Sequence, residues 1–251
     1  MIDIELVQKK FEKSINSYND HAIAQRQIAQ KLYSLLSPYL AKSSLLGRVL
    51  EVGCGTGFLT HHILQHYPSI YFLNDINKHL EEVLQPLLRN QVYEYRIGDA
   101  EQIELPKELD LLVSSSCIQW FENLPSFINK INQSLNNNAY VFLSTFGPSN
   151  MREIRQITGV GLPYYSLVDL QILFQQKYEI LFLQEEFITL SFNSVLDVLN
   201  HLKQTGVNGG FSRVWTKKAF MDFCVKYECL SENKNKIQLT YHPIYIGLKK
   251  R

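Results

Sequence analysis

The stretch "RVLEVGCGTGFLTHHIL", Arg48 to Leu64, is the strongest constraint on what this chain can fold into. An apolar run ends in three alternate glycines, Gly53, Gly55 and Gly57, and a helix-like apolar pattern follows. Glycines between a strand and a helix let the backbone turn tightly and approach a ligand closely. No Gly-Lys-Ser/Thr step follows, so this is not a P-loop, and Phe58 stands where the dinucleotide pattern G-x-G-x-x-G needs its third glycine. The observed G-x-G-x-G spacing, with acidic Glu51 in the strand before it, suits a smaller ligand bearing an ammonium and a carboxylate. A tight strand-to-helix turn in an unspecialised α/β protein is the alternative at this point.

Downstream, strand-like and helix-like segments alternate. "RVLEV", "SIYFLN", "YEYRI", "LDLLVSS" and "AYVFLST" read as strands, and residues 57–66, 78–88, 122–135 and 151–157 as helices. Near-continuous apolar strands alternating with helices predict an α/β fold with a mostly parallel sheet covered on both faces. Two late strand candidates, "EILFLQEEFITLSF" and "KIQLTYHPIYIGLKK", accompany helical patterns near 166–176, 194–204 and 216–228, and "NKNK" at 233–236 reads as a hairpin tip. Leu6, Phe11 and Ile15 recur at helical spacing, and a second helical pattern runs from Asp20 to Leu36 before Pro38 and "KSS" break it. The expectation is a single domain over 1–251. It has a helical N-terminal element over 1–40, a core over 45–150, and a second half over 151–251 with an insert near 191–215.

Charge narrows the partners. The net charge is +1, but residues 1–150 carry 12 basic and 15 acidic side chains while the remainder carries 13 and 9. An anionic partner is therefore expected nearer the C-terminal half. Cys54, Cys117, Cys224 and Cys229 have neither C-x-x-C spacing nor a paired histidine pattern, which argues against a zinc site or a disulfide framework. With no basic-then-apolar start and no apolar run of about 18–20 residues, a cytoplasmic protein without a membrane span is expected.

In open α/β sheets the ligand sits beyond the carboxyl ends of the strands. Asp75 closes the second strand, where it can accept hydrogen bonds from ribose hydroxyls. Asp99 closes the third, where it can accept from an adenine amino group with Ala100 against the ring. Each aspartate alone reads as a turn or cap residue, but the ordered series with Glu51 resembles the class I S-adenosylmethionine-dependent methyltransferases over Arg48 to Phe146. That resemblance implies a Rossmann-like seven-stranded sheet with a helical N-terminal lid and a small inserted cap. It also implies S-adenosylmethionine as cofactor, held by Glu51, Gly53, Gly55, Gly57, Asp75, Ile76, Asp99, Ala100 and Gln25, with no metal.

Five further stretches resemble the biotin-pathway malonyl-acyl-carrier-protein O-methyltransferases along nearly the whole chain. They are "FEKSINSYNDHAIAQRQIA", "SSSCIQWFENL", "LSTFGPSNMREI" through "TGVGLPYYSL", "VLNHLKQTGVNGG" and "LTYHPIYIG". The resemblance implies methylation of the free carboxylate of a malonyl thioester on acyl carrier protein or coenzyme A. A carboxylate of ordinary acidity, about 4, is already ionised and needs no general base. The site needs alignment, exclusion of water, and a cation or hydroxyl donor on the non-attacking oxygen. Tyr18 is the first candidate donor, with Gln119 and Trp120 expected beside the methyl. Arg152 or Arg155 is the expected carboxylate clamp. His201 and Lys203 lie in the insert expected to roof the acyl pocket, although surface exposure is the commoner state of either. Lys203, Arg213, Lys217 and Lys218 form a basic patch suited to an acidic carrier protein. A methyltransferase for another small carboxylate or a quinone precursor, a nicotinamide oxidoreductase and a non-catalytic binding module stay open as alternatives.

Overall fold

In the computed structural model, residues 4–40, 46–207, 216–230 and 236–251 are described. Two helices, α1 (Ile4–His21) and α2 (Ile23–Leu40), lead into strand β1 (Arg48–Val52). Then come α3 (Thr60–Ile63), β2 (Ile70–Asp75), α4 (Leu80–Leu88), β3 (Tyr93–Ile97), β4 (Leu109–Ser115), α5 (Leu124–Ser134), β5 (Leu135–Phe146) and α6 (Arg152–Thr158). The rest is α7 (Leu167–Phe174), β6 (Tyr178–Glu185), β7 (Ile188–Phe192), α8 (Val195–Gln204), α9 (Lys217–Leu230), β8 (Ile237–Tyr241) and β9 (Pro243–Lys250).

Seven strands form one sheet in the order β3-β2-β1-β4-β5-β9-β6, with β9 antiparallel to both neighbours and the pairs from β3 to β5 parallel. Successive strand residues point to opposite faces, so each strand feeds two cores. Val49, Leu73, Leu111 and Phe142 pack toward Leu32 and Leu36 of α2; Leu50, Phe72, Leu112 and Val141 pack toward Phe127 and Ile131 of α5 and Phe174 of α7. This is the mostly parallel, doubly covered α/β sheet that the strand pattern predicts.

Two strand expectations are corrected. "EILFLQEEFITLSF" is split: β6 ends at Glu185 in the main sheet, and β7 pairs with β8 in a separate two-stranded ribbon. "KIQLTYHPIYIGLKK" breaks at His242, whose backbone N–H donates to the Asn150 side chain at 3.2 Å. Pro243 has no N–H to offer, so no continuous ladder crosses this point. The second N-terminal helix also runs past Pro38 to Leu40. The proline stands in the last turn, and the Ser37 hydroxyl donates to the Ser34 carbonyl that the proline cannot serve, at 3.4 Å. The hairpin expected at "NKNK" lies, apart from Lys236, outside the described residues. No helix among the described residues is long and apolar enough to cross a membrane.

Candidate active site

A cavity of about 150 Å³ opens at the carboxyl ends of β1, β2, β3 and β4. Its floor is the glycine loop: Gly53 N and Cys54 N both donate to the Asn74 carbonyl, at 2.9 and 3.0 Å, which ties the end of β1 to the end of β2. Gly53 has φ +68°, and a Cβ there would sit 2.4 Å from the Cys117 sulfur, so only glycine fits. Asp75 holds the rim rigid. One carboxylate oxygen accepts from Gly55 N and the other from Asn77 N, both at 3.0 Å. Ile76, Asp99 and Ala100 complete that wall, with Asp99 accepting from Glu101 N at 2.9 Å.

The roof is α1. Val7, Phe11, Ile15 and Tyr18, spaced along one helical face, all line the cavity. The Tyr18 ring stacks on Phe58 with centroids 5.8 Å apart, and Phe11 meets Trp120 edge-on at 6.0 Å. Polar contacts fix the helix to both sides of the cavity: Gln8 donates to the Ile76 carbonyl at 3.1 Å, and the Thr56 hydroxyl donates to Asn19 at 2.6 Å.

A smaller cavity of about 40 Å³ continues from the loop toward Glu51 and Gln25 and shares Tyr18, Gly53 and Gly55 with the larger one. Glu51 is buried, and its Oε2 accepts from Tyr71 at 2.5 Å and Thr60 at 2.8 Å. Burial raises its carboxyl to about 7; the two hydrogen bonds lower it, and the Asp75 charge raises it further. Gln25 is buried near the Tyr241 phenol, yet neither end of its amide has a hydrogen-bond partner of good geometry. Ser116 Oγ and Asn77 Nδ2 are likewise buried without partners, and both residues line the large cavity.

Trp120 borders a second, separate chamber of about 20 Å³. Arg155, Asn150, Gly161, Tyr164 and Val207 line it as well. Helix α6 is pinned in place by Glu153, a buried carboxylate that accepts from Thr240 N at 3.1 Å and Thr240 Oγ1 at 2.5 Å. That pin carries Arg155 to the chamber. Arg152 is not part of it: its guanidinium lies 3.4 Å from Glu153 and its side chain is 60% exposed.

The sequence and the fold of this chain have counterparts among known proteins. The methyltransferase-domain family matches residues 21–187. Over 257 residues, 98% of each chain, the sequence is 37% identical to the malonyl-[acyl-carrier protein] O-methyltransferase of Bacteroides thetaiotaomicron. It is 42% identical over 248 residues to the protein of that name from Bacteroides fragilis, covering 98% of this chain and 50% of the relative, so it spans about half of that protein. This chain belongs to the malonyl-[acyl-carrier protein] O-methyltransferase family. Among solved structures, the N-methyltransferase NodS of Bradyrhizobium japonicum, in complex with S-adenosyl-l-homocysteine, aligns with TM-score 0.59 at 12% identity. That alignment covers 97% of this chain and 98% of NodS, and the likeness is one of fold.

Besides Arg152, two expected site residues line none of these cavities, and His201 differs from its expected exposure. Gly57 lines neither strand-end cavity; with φ +94°, its missing side chain makes room for Leu84 and Leu87 of α4. Gln119 braces the loop, donating to the Ser116 carbonyl at 2.5 Å, and lines none of the three cavities. His201 is buried rather than exposed, paired with the Tyr241 phenol at 2.8 Å, and burial pushes its imidazole down to about 4. Lys203, Lys217 and Lys218 are exposed on α8 and α9, whereas Arg213 lies outside the described residues. Sequence reasoning missed Thr56, Asn77, Ser116, Asn150 and Tyr164. Ser116, a non-glycine residue at φ +55°, follows the end of β4 directly, much as Asp75 ends β2 and Asp99 stands just beyond β3.

Proposed function

We propose that this protein methylates the free carboxylate of a malonyl thioester, carried on acyl carrier protein or coenzyme A, and so supplies the methyl ester from which pimeloyl chains are built in biotin synthesis. The observation that carries this reading is the position of Trp120, bordering both the strand-end cavity and a chamber that offers Arg155 rather than a base. The buried Ser116 Oγ and Asn77 Nδ2, which have no hydrogen-bond partner, and the poorly paired Gln25 amide fit a polar ligand in the larger cavities. S-Adenosylmethionine is the cofactor, and when bound it would supply an electrophilic sulfonium methyl for the carboxylate oxygen.

Asp75 and Ile76 would hold the ribose, Asp99 and Ala100 the adenine, and Gly53, Gly55, Gln25 and Glu51 the amino-acid end. Tyr18 and Trp120 shield the reacting atoms from water, which strengthens the nucleophile. Arg155, not Arg152, takes the carboxylate: both side chains are exposed, but Arg155 lines the chamber while the Arg152 guanidinium is tied to its neighbour Glu153. Lys203, Lys217 and Lys218 steer the acidic carrier. Exposed charges of this kind change the rate of encounter and its salt dependence more than the final affinity.

The test is transfer of labelled methyl to malonyl-acyl carrier protein, malonyl-coenzyme A, free malonate and succinyl-acyl carrier protein. Strong labelling of both malonyl thioesters, with the carrier-bound form preferred, is expected. Tight cofactor binding with no labelling of either would overturn the acceptor and leave the fold standing. The next acceptors to try would be another small carboxylate or a quinone precursor.

A further inference from the structure

We propose that the Tyr164 hydroxyl, held by Asn150, binds the non-attacking oxygen of the substrate carboxylate beside Arg155, and that the small chamber they share makes the enzyme selective for malonyl over longer diacids. This rests on the carboxylate-methylation reading above.

The chamber is a built site. Asn150 is only 2% exposed, and its Oδ1 accepts from His242 N at 3.2 Å. That contact fixes which end of the amide faces the chamber. Nδ2 therefore donates to the Tyr164 phenol oxygen, at 2.9 Å. A phenol oxygen that accepts in this way keeps its own proton for another acceptor. Burial raises the Tyr164 phenol above its ordinary value, so the group remains a donor at neutral pH.

Arg155 completes the pair. Its stem lies against Gly161, where a Cβ would come within 3.3 Å of Arg155 Cδ, so the glycine leaves the arginine room. Its Nη1 contacts the Pro148 carbonyl at 3.4 Å, using one of five donors. A hydroxyl and a guanidinium converging on one small space form an anion site. At about 20 Å³ that space holds roughly one water-sized group, the size of a single carboxylate oxygen. A succinyl chain, one methylene longer, must bend or withdraw to seat its carboxylate there, and its attacking oxygen then leaves the line of transfer.

The decisive experiment compares wild type with Tyr164→Phe, which keeps the ring and its packing, using malonyl-coenzyme A and succinyl-coenzyme A as acceptors. Affinity for S-adenosylhomocysteine is measured in parallel. The expected result is a rise of about 10- to 100-fold in KM for malonyl-coenzyme A, the size of one lost hydrogen bond to a charged group. The affinity for S-adenosylhomocysteine should stay within twofold, and the preference for malonyl over succinyl should narrow. Arg155→Lys, which keeps the charge but loses the fork, should also raise KM. Should wild type methylate malonyl-coenzyme A while Tyr164→Phe keeps both its KM and its succinyl rejection, the carboxylate subsite lies elsewhere. Should wild type methylate no malonyl thioester, the functional reading fails first and this inference falls with it.

Discussion

The two cavities that border Trp120 are shaped by different forces. On the cofactor side, adjacent strand ends lock one another mainly through backbone groups: Gly53 and Cys54 on the Asn74 carbonyl, Gly98 N on the Asp75 carbonyl at 2.9 Å, Gly55 N on the Asp75 carboxylate. On the acyl side, side chains act as pins between segments far apart in the chain. Glu153 reaches Thr240, 87 residues away, and Asn150 meets His242, 92 residues away. The first side inherits its shape from the parallel sheet. The second depends on a few buried polar contacts, each of which leaves unsatisfied partners if removed.

The comparison breaks most visibly at the glycines. Gly53→Ala places a Cβ 2.4 Å from the Cys117 sulfur at φ +68°. Left-handed strain of about 1–2 kcal/mol and overpacking of about 1–3 kcal/mol are relieved by shifting the loop, so the melting temperature falls and, where about 3 kcal/mol must be restored on binding, affinity for S-adenosylhomocysteine falls by roughly 100-fold. Gly57→Ala is strained too, but its Cβ meets the leucine methyls of α4. It should lower the melting temperature while calorimetric affinity falls far less. Equal losses of affinity in both variants would put Gly57 back in the binding site.

The same contrast explains what was legible beforehand. Glu51, Gly53, Asp75 and Asp99 stand at the ends of successive strands, so once the strand pattern is read their convergence follows from the sheet. Tyr164 and Asn150 carry no such mark: "FGPSN" and "LPYY" look like ordinary loop residues until β8 and β9 bring His242 against them. Arg152 and Arg155 look alike in the sequence because both are exposed, and only the helical rotation set by the Glu153 pin brings Arg155 to the chamber lining. His201 was misjudged because its partner, Tyr241, lies 40 residues downstream in a strand that seemed continuous with β9.

Glu153→Ala tests whether the acyl side can be loosened alone. The substitution strands both the Thr240 amide and its hydroxyl in a buried setting, a loss of about 2–3 kcal/mol readable as a lowered melting temperature. The KM for malonyl-coenzyme A should rise as Arg155 loses its register, with affinity for S-adenosylhomocysteine within about twofold. A comparable loss of cofactor affinity would mean that the two sides are one mechanical unit, and the contrast drawn above would not survive it.

The smallest expected effect concerns the one carboxylate on the cofactor side that is buried below the loop. Without ligand, burial holds the Glu51 carboxyl at about 7, above its ordinary 4.5. The folded protein therefore binds more protons than the unfolded chain between those values, and its stability falls as pH rises through that window. A cationic ligand group favours the ionised form and releases the proton on binding, so affinity must strengthen with pH. Full coupling gives a gain of about tenfold in S-adenosylmethionine affinity between pH 6 and pH 8, most of it between pH 6 and pH 7. Glu51→Gln should weaken binding and flatten that profile while Tyr71 and Thr60 keep an acceptor. A wild-type profile already flat would mean that Glu51 stays protonated beneath the cofactor and serves the loop only as a hydrogen-bonded strut.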